Sequence, residues 1–119
     1  MAPFRAEVIE KTLSVYAPAG TVYDGLVAAI SRVGRLTRED VRARRIGAQV
    51  FSGASEMYAA KLTARIDQLS STHCNVVLSM RPQKGTFAPR TASKAMNRLL
   101  AEFARLDLPS DPLPQKRNT

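Results

Sequence analysis

A chain of 119 residues, 45% hydrophobic and 24% charged, is sized for one globular domain that buries roughly two thirds of its unfolded surface. Its one cysteine, Cys74, excludes an intrachain disulfide and any zinc site built on paired cysteines, which fits a reducing compartment. The formal net charge of +8 and the pI near 10.4 favour phosphate backbones and anionic surfaces, as a matter of association and solubility rather than of one partner.

No apolar run approaches the ~20 residues of a membrane span. The N-terminus, MAPFRAEVIEK, meets charge before a signal-like apolar stretch can form, so the expected location is cytoplasmic. Arginine outnumbers lysine thirteen to five. That excess suits bidentate anion contacts, but codon use in a GC-rich bacterial genome is the simpler account.

Glu7 to Tyr16 alternates, with Ile9, Leu13 and Val15 on one face and Glu10, Thr12 and Ser14 on the other, the pattern of a strand with one wet side. Ala17-Pro18-Ala19-Gly20 breaks it. Thr21 is the expected helix cap, with Asp24 near the positive end of the dipole, and Val22, Leu26, Ala29 and Val33 follow at helical spacing. Gly34 is the expected stop, in a left-handed conformation. Between Arg35 and Arg45 the apolar parity changes from Val41 and Ala43 to Ile46, Ala48 and Val50, which predicts a β-bulge or short break near Arg44-Arg45 within a second strand. Ser52 to Ser55 reads as a turn. Tyr58, Ala60, Leu62, Ala64 and Ile66 then line one face of a third strand, and after a turn at Ser70 to Thr72, Cys74, Val76, Leu78 and Met80 line one face of a fourth, ended by Pro82. Gln83 to Arg90 leads to the last helix, Thr91 to Leu106, capped by Thr91 or Ser93, whose Ala92, Met96, Leu99, Phe103 and Leu106 form one stripe. PSDPLPQKRNT ends the chain.

The expected fold is α+β: a four-stranded, mainly antiparallel sheet with two helices on one face, in the order β-α-β-β-β-α. Residues 1–107 form the single domain. Residues 108–119 are a proline-rich basic tail with too little apolar surface to order it.

Motifs that enforce a reaction are lacking. His73 adjoins Cys74, but neighbours in a strand point to opposite faces and cannot act as nucleophile and base. Cys74 is expected to be a buried thiol and His73 an exposed turn residue. Asp24, Asp67 and Glu102 are scattered, and are expected as a cap, a strand partner and a partner of Arg98. With no glycine-rich phosphate loop and no ligand set for a metal, no catalytic residue, cofactor or metal is expected, and the chain reads as non-enzymatic.

Two surfaces remain. On the outer sheet face, Lys61 and Arg65 are expected beside Arg42 or Arg44 and Arg81, a basic and flat surface without the stacking aromatics of sheets that read single strands, and so read first as a solvated face with an arginine edge that resists aggregation. Lys84, Arg90 and Lys94 form a second basic cluster at the start of the last helix, near a generic anion site. Beneath that helix, Leu62, Ala64, Leu78, Met96, Leu99 and Phe103 form either core or the wall of a modest apolar pocket, with close packing the commoner outcome where alanines line the sheet.

The run VYAPAGTVYDGLVAAI, Val15 to Ile30, resembles the opening of Bet v 1-like, or START-like, helix-grip (SRPBCC) domains, in which a strand ends in an Ala-Pro turn before an amphipathic helix. The resemblance implies a terminal helix gripping a curved sheet over a hydrophobic ligand. Thr21 to Leu106 is also similar to double-stranded RNA-binding domains in its helix, three strands, helix order, with Thr91-Ala92-Ser93-Lys94 like their phosphate-binding helix entry. The expected function is therefore a small binding or interaction module with an apolar small molecule or a protein as partner, including a second copy through an edge strand. The alternative is a nucleic-acid-binding module.

Overall fold

The structure is a computed structural model and describes residues 8–53, 59–82, 90–106, 108 and 110–111. Its elements run β1 (Ile9–Val15), α1 (Ala19–Val33), β2 (Gly34–Asp40), β3 (Arg45–Phe51), β4 (Ala59–Ser70), β5 (His73–Pro82), α2 (Thr91–Ala104) and a two-residue β6 (Ser110–Asp111). Every neighbouring pair of strands is antiparallel, in one sheet ordered β2-β3-β4-β5-β1-β6. Both helices pack on one face of it. The α+β layering agrees with expectation, but five longer strands replace four, and β6 pairs with β1 inside the stretch read as tail. Residues 112–119 lie outside the described residues.

The extra strand comes from the arginine-rich segment. The change of apolar parity marks a chain reversal between two strands, not a bulge within one. Asp40 accepts a hydrogen bond from the Ala43 amide at 3.1 Å, the Arg44 amide donates to the Val41 carbonyl at 3.3 Å, and Arg44 takes φ 53°. Ala43, expected on the inner face, is exposed in this turn. The register irregularity lies instead within β2, between Leu36 and Arg38.

Helix α1 begins two residues before Thr21. Pro18 is its N-cap, at φ −63° and ψ 150°, and its carbonyl accepts from the Val22 amide at 3.0 Å. The pyrrolidine ring sets the entry φ in advance, so a hydroxyl cap is not needed, and Thr21 and Asp24 lie within the helix. At the other end Gly34 is extended rather than left-handed, φ −174° and ψ −146°. Its role is close approach: a Cβ there would overlap the Gln49 carbonyl oxygen and lie 2.8 Å from the Val50 Cα. Helix α2 likewise has its N-cap at Arg90, at φ 63°, rather than at Thr91 or Ser93; Thr91 is buried as its first residue.

One continuous core lies between sheet and helices. Val22, Leu26, Ala29, Ile30 and Val33 of α1 and Ala92, Ala95, Met96, Leu99 and Phe103 of α2 meet the alternating inner residues of β3, β4 and β5. Leu106, expected on the buried stripe, lies past the end of α2 and is 36% exposed. Its Cδ1 would be 3.0 Å from a Cβ at Gly25, so the chain leaving α2 packs closely on α1 there. No helix among the described residues is long and apolar enough to cross a membrane.

One polar contact ties α1 to β2. The Tyr23 hydroxyl donates to Glu39 Oε2 at 2.7 Å. Burial first, then the hydrogen bond and charge of Glu39, push the phenol up from 10.0 to about 12. The folded state holds this proton more tightly than the unfolded chain, so the stability it contributes is complete below pH 10 and is lost as pH rises through about 12. Urea denaturation at a series of pH values should show stability falling more steeply above pH 10 in the wild type than in Tyr23→Phe; parallel curves would show that this phenol does not couple to folding.

Candidate functional site

Antiparallel pleating puts alternate residues of β3, β4 and β5 on the face away from the helices, and the register decides which of them meet. Gln49, Lys61 and Arg81 lie side by side across β3, β4 and β5, with Arg35 of β2 opposite Gln49. Arg35 Nε donates to Gln49 Oε1 at 3.0 Å, which extends this row to the sheet edge. Four residues along the strands, about 13 Å away, Arg45 and Arg65 face each other across β3 and β4. Between the rows lie Gly47, Thr63 and Ser79, small or hydroxyl-bearing. Two open depressions, of about 660 and 530 Å³, share Thr37 and Lys61 as lining and so form one shallow trough, lined by Asp40 as well as by Arg35, Arg45, Lys61 and Arg81.

Electrostatically this face is unbalanced. Lys61 opposite Arg81, and Arg45 opposite Arg65, are like-charge neighbours on adjoining strands, an arrangement that destabilises a sheet. Asp67 accepts two hydrogen bonds from the Arg65 guanidinium, at 2.9 and 3.1 Å, as its expected strand partner. Asp40 lies opposite Arg45, but its carboxylate also holds the Ala43 amide. Among the described residues, Arg45, Lys61 and Arg81 enter no ion pair.

The expected site residues divide accordingly. Lys61, Arg65 and Arg81 come together on the outer face. Arg42 and Arg44 do not join them, because both lie in the β2–β3 turn, and Arg45 takes the expected place. Arg90 and Lys94 sit at the start of α2, in the helix layer on the other side of the sheet. Lys84 lies outside the described residues. Leu62, Ala64, Leu78, Met96, Leu99 and Phe103 are all buried in the common core, none more than 7% exposed.

His73 and Cys74 do point apart. The Cys74 thiol is buried and donates to the Ala17 carbonyl at 3.4 Å; burial pushes its pKa up, away from a reactive thiolate. His73 is less exposed than a turn residue should be. Its Nε2 is 2.6 Å from Ser14 Oγ, and its ring stacks on Tyr16. Arg98 was expected to pair with Glu102, but it donates to the carbonyls of Phe51 and Gly53, at 2.8 Å each, and closes α2 onto the end of β3. Glu102 instead faces Arg32 of α1 and Arg105. Beside the Arg98 clasp is a depression of about 210 Å³, lined by Ser31, Arg32, Val33, Gly34, Phe51 and Gly53. Among the described residues no His, Cys, Asp and Glu side chains gather as a metal ligand set.

The like-charge pairing has a measurable signature in stability. Lys61→Glu replaces a repulsive pair with an attractive one opposite Arg81, and should raise stability by about 0.5–1 kcal/mol at low salt, with the gain shrinking as salt is added. Denaturant titrations at two ionic strengths test it; a loss of stability would show that the two side chains do not repel.

No family model matches the chain, and no curated protein matches it in sequence. Solved structures do match. The Zhui aromatase/cyclase from a Streptomyces species is similar at 15% identity and a TM-score of 0.50, covering 87% of each chain. A protein from Thermobifida fusca is similar at 18% identity and a TM-score of 0.50, over 84% of this chain and 95% of its own. A conserved protein of unknown function from Enterococcus faecalis is similar at 10% identity and a TM-score of 0.52, over 92% of this chain and 74% of its own. The likeness to double-stranded RNA-binding domains is not supported, since four strands rather than three separate α1 from α2. What these neighbours show is the fold, an antiparallel sheet gripped on one face by helices, consistent with the helix-grip resemblance of Val15 to Ile30.

Proposed function

We propose that this chain is a non-enzymatic binding module whose outer sheet face holds an anionic partner carrying several phosphates. The observation that supports it most is the register, which sets Lys61 beside Arg81 and Arg45 beside Arg65 across a trough of small and hydroxyl-bearing residues. An anion in that trough relieves the repulsion between Lys61 and Arg81, whereas Arg65 is already paired with Asp67, so binding gains most at the Lys61–Arg81 row. The hydroxyls of Thr37 and Thr63, which line the trough, add neutral hydrogen bonds to the same oxygens. We read the module's role as holding this anion rather than acting on it.

Long-chain inorganic polyphosphate is the direct probe. Binding should weaken steeply between low and physiological salt, and Lys61→Glu/Arg65→Glu should abolish it or lower the salt slope by about 2. Affinity unchanged by the double charge reversal would remove this face from consideration.

A second reading is a small apolar molecule held between α2 and the sheet. It is supported by the printed name of the aromatase/cyclase neighbour. Native mass spectrometry of protein purified from cells should then detect a retained small-molecule mass; a clean apo spectrum argues for the outer face alone.

A further inference from the structure

Strand β4 outruns one of its neighbours. Its pairing with β3 ends where Arg65 faces Arg45, yet β4 continues to Ser70, paired over that length with β5 alone among the described residues. The last bond across to β3's side comes from the Ile66 amide, which donates to the Arg44 carbonyl at 3.0 Å. The chain then leaves the line of β3: Arg44, at φ 53°, turns its own amide back to the Val41 carbonyl at 3.3 Å. In an antiparallel strand alternate residues present their backbone groups to the same side. Since Ile66 faces β3's side, the amide and carbonyl of Gln68 face it too, and no strand among the described residues meets them there. Such an edge is a template for adding a strand.

This gap has room, charge and apolar surface. A depression of about 600 Å³ lies along it, lined by Arg44 and by β4 and its turn from Ile66 to Ser71. Arg42 and Arg44, in the turn that closes one end, enter no ion pair among the described residues, whereas Asp67 in the lining is already held by Arg65. Leu69 in the lining and Val41 in the turn are 55% and 65% exposed. The strand ends next to residues 54–58 and 83–89 lie at the opposite end of the sheet, where Phe51 faces Ala59 and Ala60 faces Pro82, and β6 is separated from β4 by β5 and β1.

We propose that this gap docks the carboxyl-terminal segment of a partner protein as a short strand antiparallel to β4 and in line with β3. Direction selects the terminus. A strand laid antiparallel beside Gln68 runs the same way as β3, so its carboxyl end abuts Arg44, where a continuing chain would meet the turn and a terminal carboxylate meets Arg42 and Arg44. Gln68 supplies the reciprocal backbone pair, and an apolar side chain of the segment covers Leu69. The register irregularity between Gln68 and Ser70 limits the edge to one short segment and disfavours sheet growth between copies. The gap stands apart from the Lys61–Arg81 row, and docking there does not rest on the anion binding proposed above.

The probe is a labelled peptide of about six residues, alternating valine and glutamate and ending in a free carboxylate, followed by fluorescence anisotropy and by amide hydrogen exchange of the wild-type protein. The peptide should bind saturably and slow exchange at the Gln68 amide. Amidating its carboxyl end should weaken binding by about tenfold or more, and so should Arg42→Gln/Arg44→Asn, in which asparagine suits the left-handed backbone at that position. Absence of saturable binding, unchanged exchange at Gln68 with the peptide bound, or equal affinity for the free and amidated peptides overturns the proposal. The exchange measurement and the amidated peptide use the wild type, so the outcome does not depend on how the variant folds.

Discussion

Close approach of two helices to one sheet face is the constraint on which the rest of this protein depends. Ala48, Ala60 and Ala64 on the sheet, with Ala29, Ala92 and Ala95 on the helices, are each no more than 1% exposed. Short side chains at these points let the backbones come near, and Leu26, Ile30, Leu62, Met96 and Leu99 fill the spaces that remain. Interiors of this kind are packed to crystal-like density, so an added methylene at an alanine must displace a helix. The polar clasps at the periphery, Tyr23 to Glu39 and Arg98 to the carbonyls of Phe51 and Gly53, hold the helices laterally once the core has set their height.

A core on one side leaves the other side of the sheet to water, and its charges answer to a different balance. Each large side chain buried below the helices stabilises by about 1.5–3 kcal/mol, whereas a like-charge pair across two strands costs a few tenths of a kcal/mol to about 1 kcal/mol. The fold can therefore carry Lys61 against Arg81 and Arg45 against Arg65 without strain to its architecture. Asp67 offsets Arg65, and Asp40 lies opposite Arg45, so among the described residues the uncompensated positive charge of this face is concentrated at Lys61 and Arg81.

Much of the architecture was legible because burial imprints a period. Alternation over Ala60 to Ile66 and Cys74 to Met80 identified β4 and β5, and the stripe of Ala92, Met96, Leu99 and Phe103 identified α2. Strand β2 reads as one strand with β3 because it is an edge strand whose residues are nearly all polar; Leu36 is its only large apolar side chain, and one residue has no period. The parity change after Ala43 was visible, but a bulge and a hairpin alter parity alike, and only pairing separates them. The site was less legible than the fold for a related reason. That Arg81 lies beside Lys61, or that Tyr16 stacks on His73, is a property of register between segments remote in sequence. Arg98 bonds backbone carbonyls, which every residue possesses, so no side-chain pattern could have announced its partners.

The junction at Gly34 gives these two sides of the sheet a mechanical connection. Helix α1 ends at Val33 and β2 begins at the next residue, so no linker of independent geometry separates them. The glycine is wedged against β3 with no room for a side chain, which makes the joint stiff as well as short. Arg35 follows it immediately and stands at the end of the cationic row. Helix and edge strand thus share one joint against β3, and a side chain added at Gly34 would have to move both α1 and the Arg35 end of the cationic row.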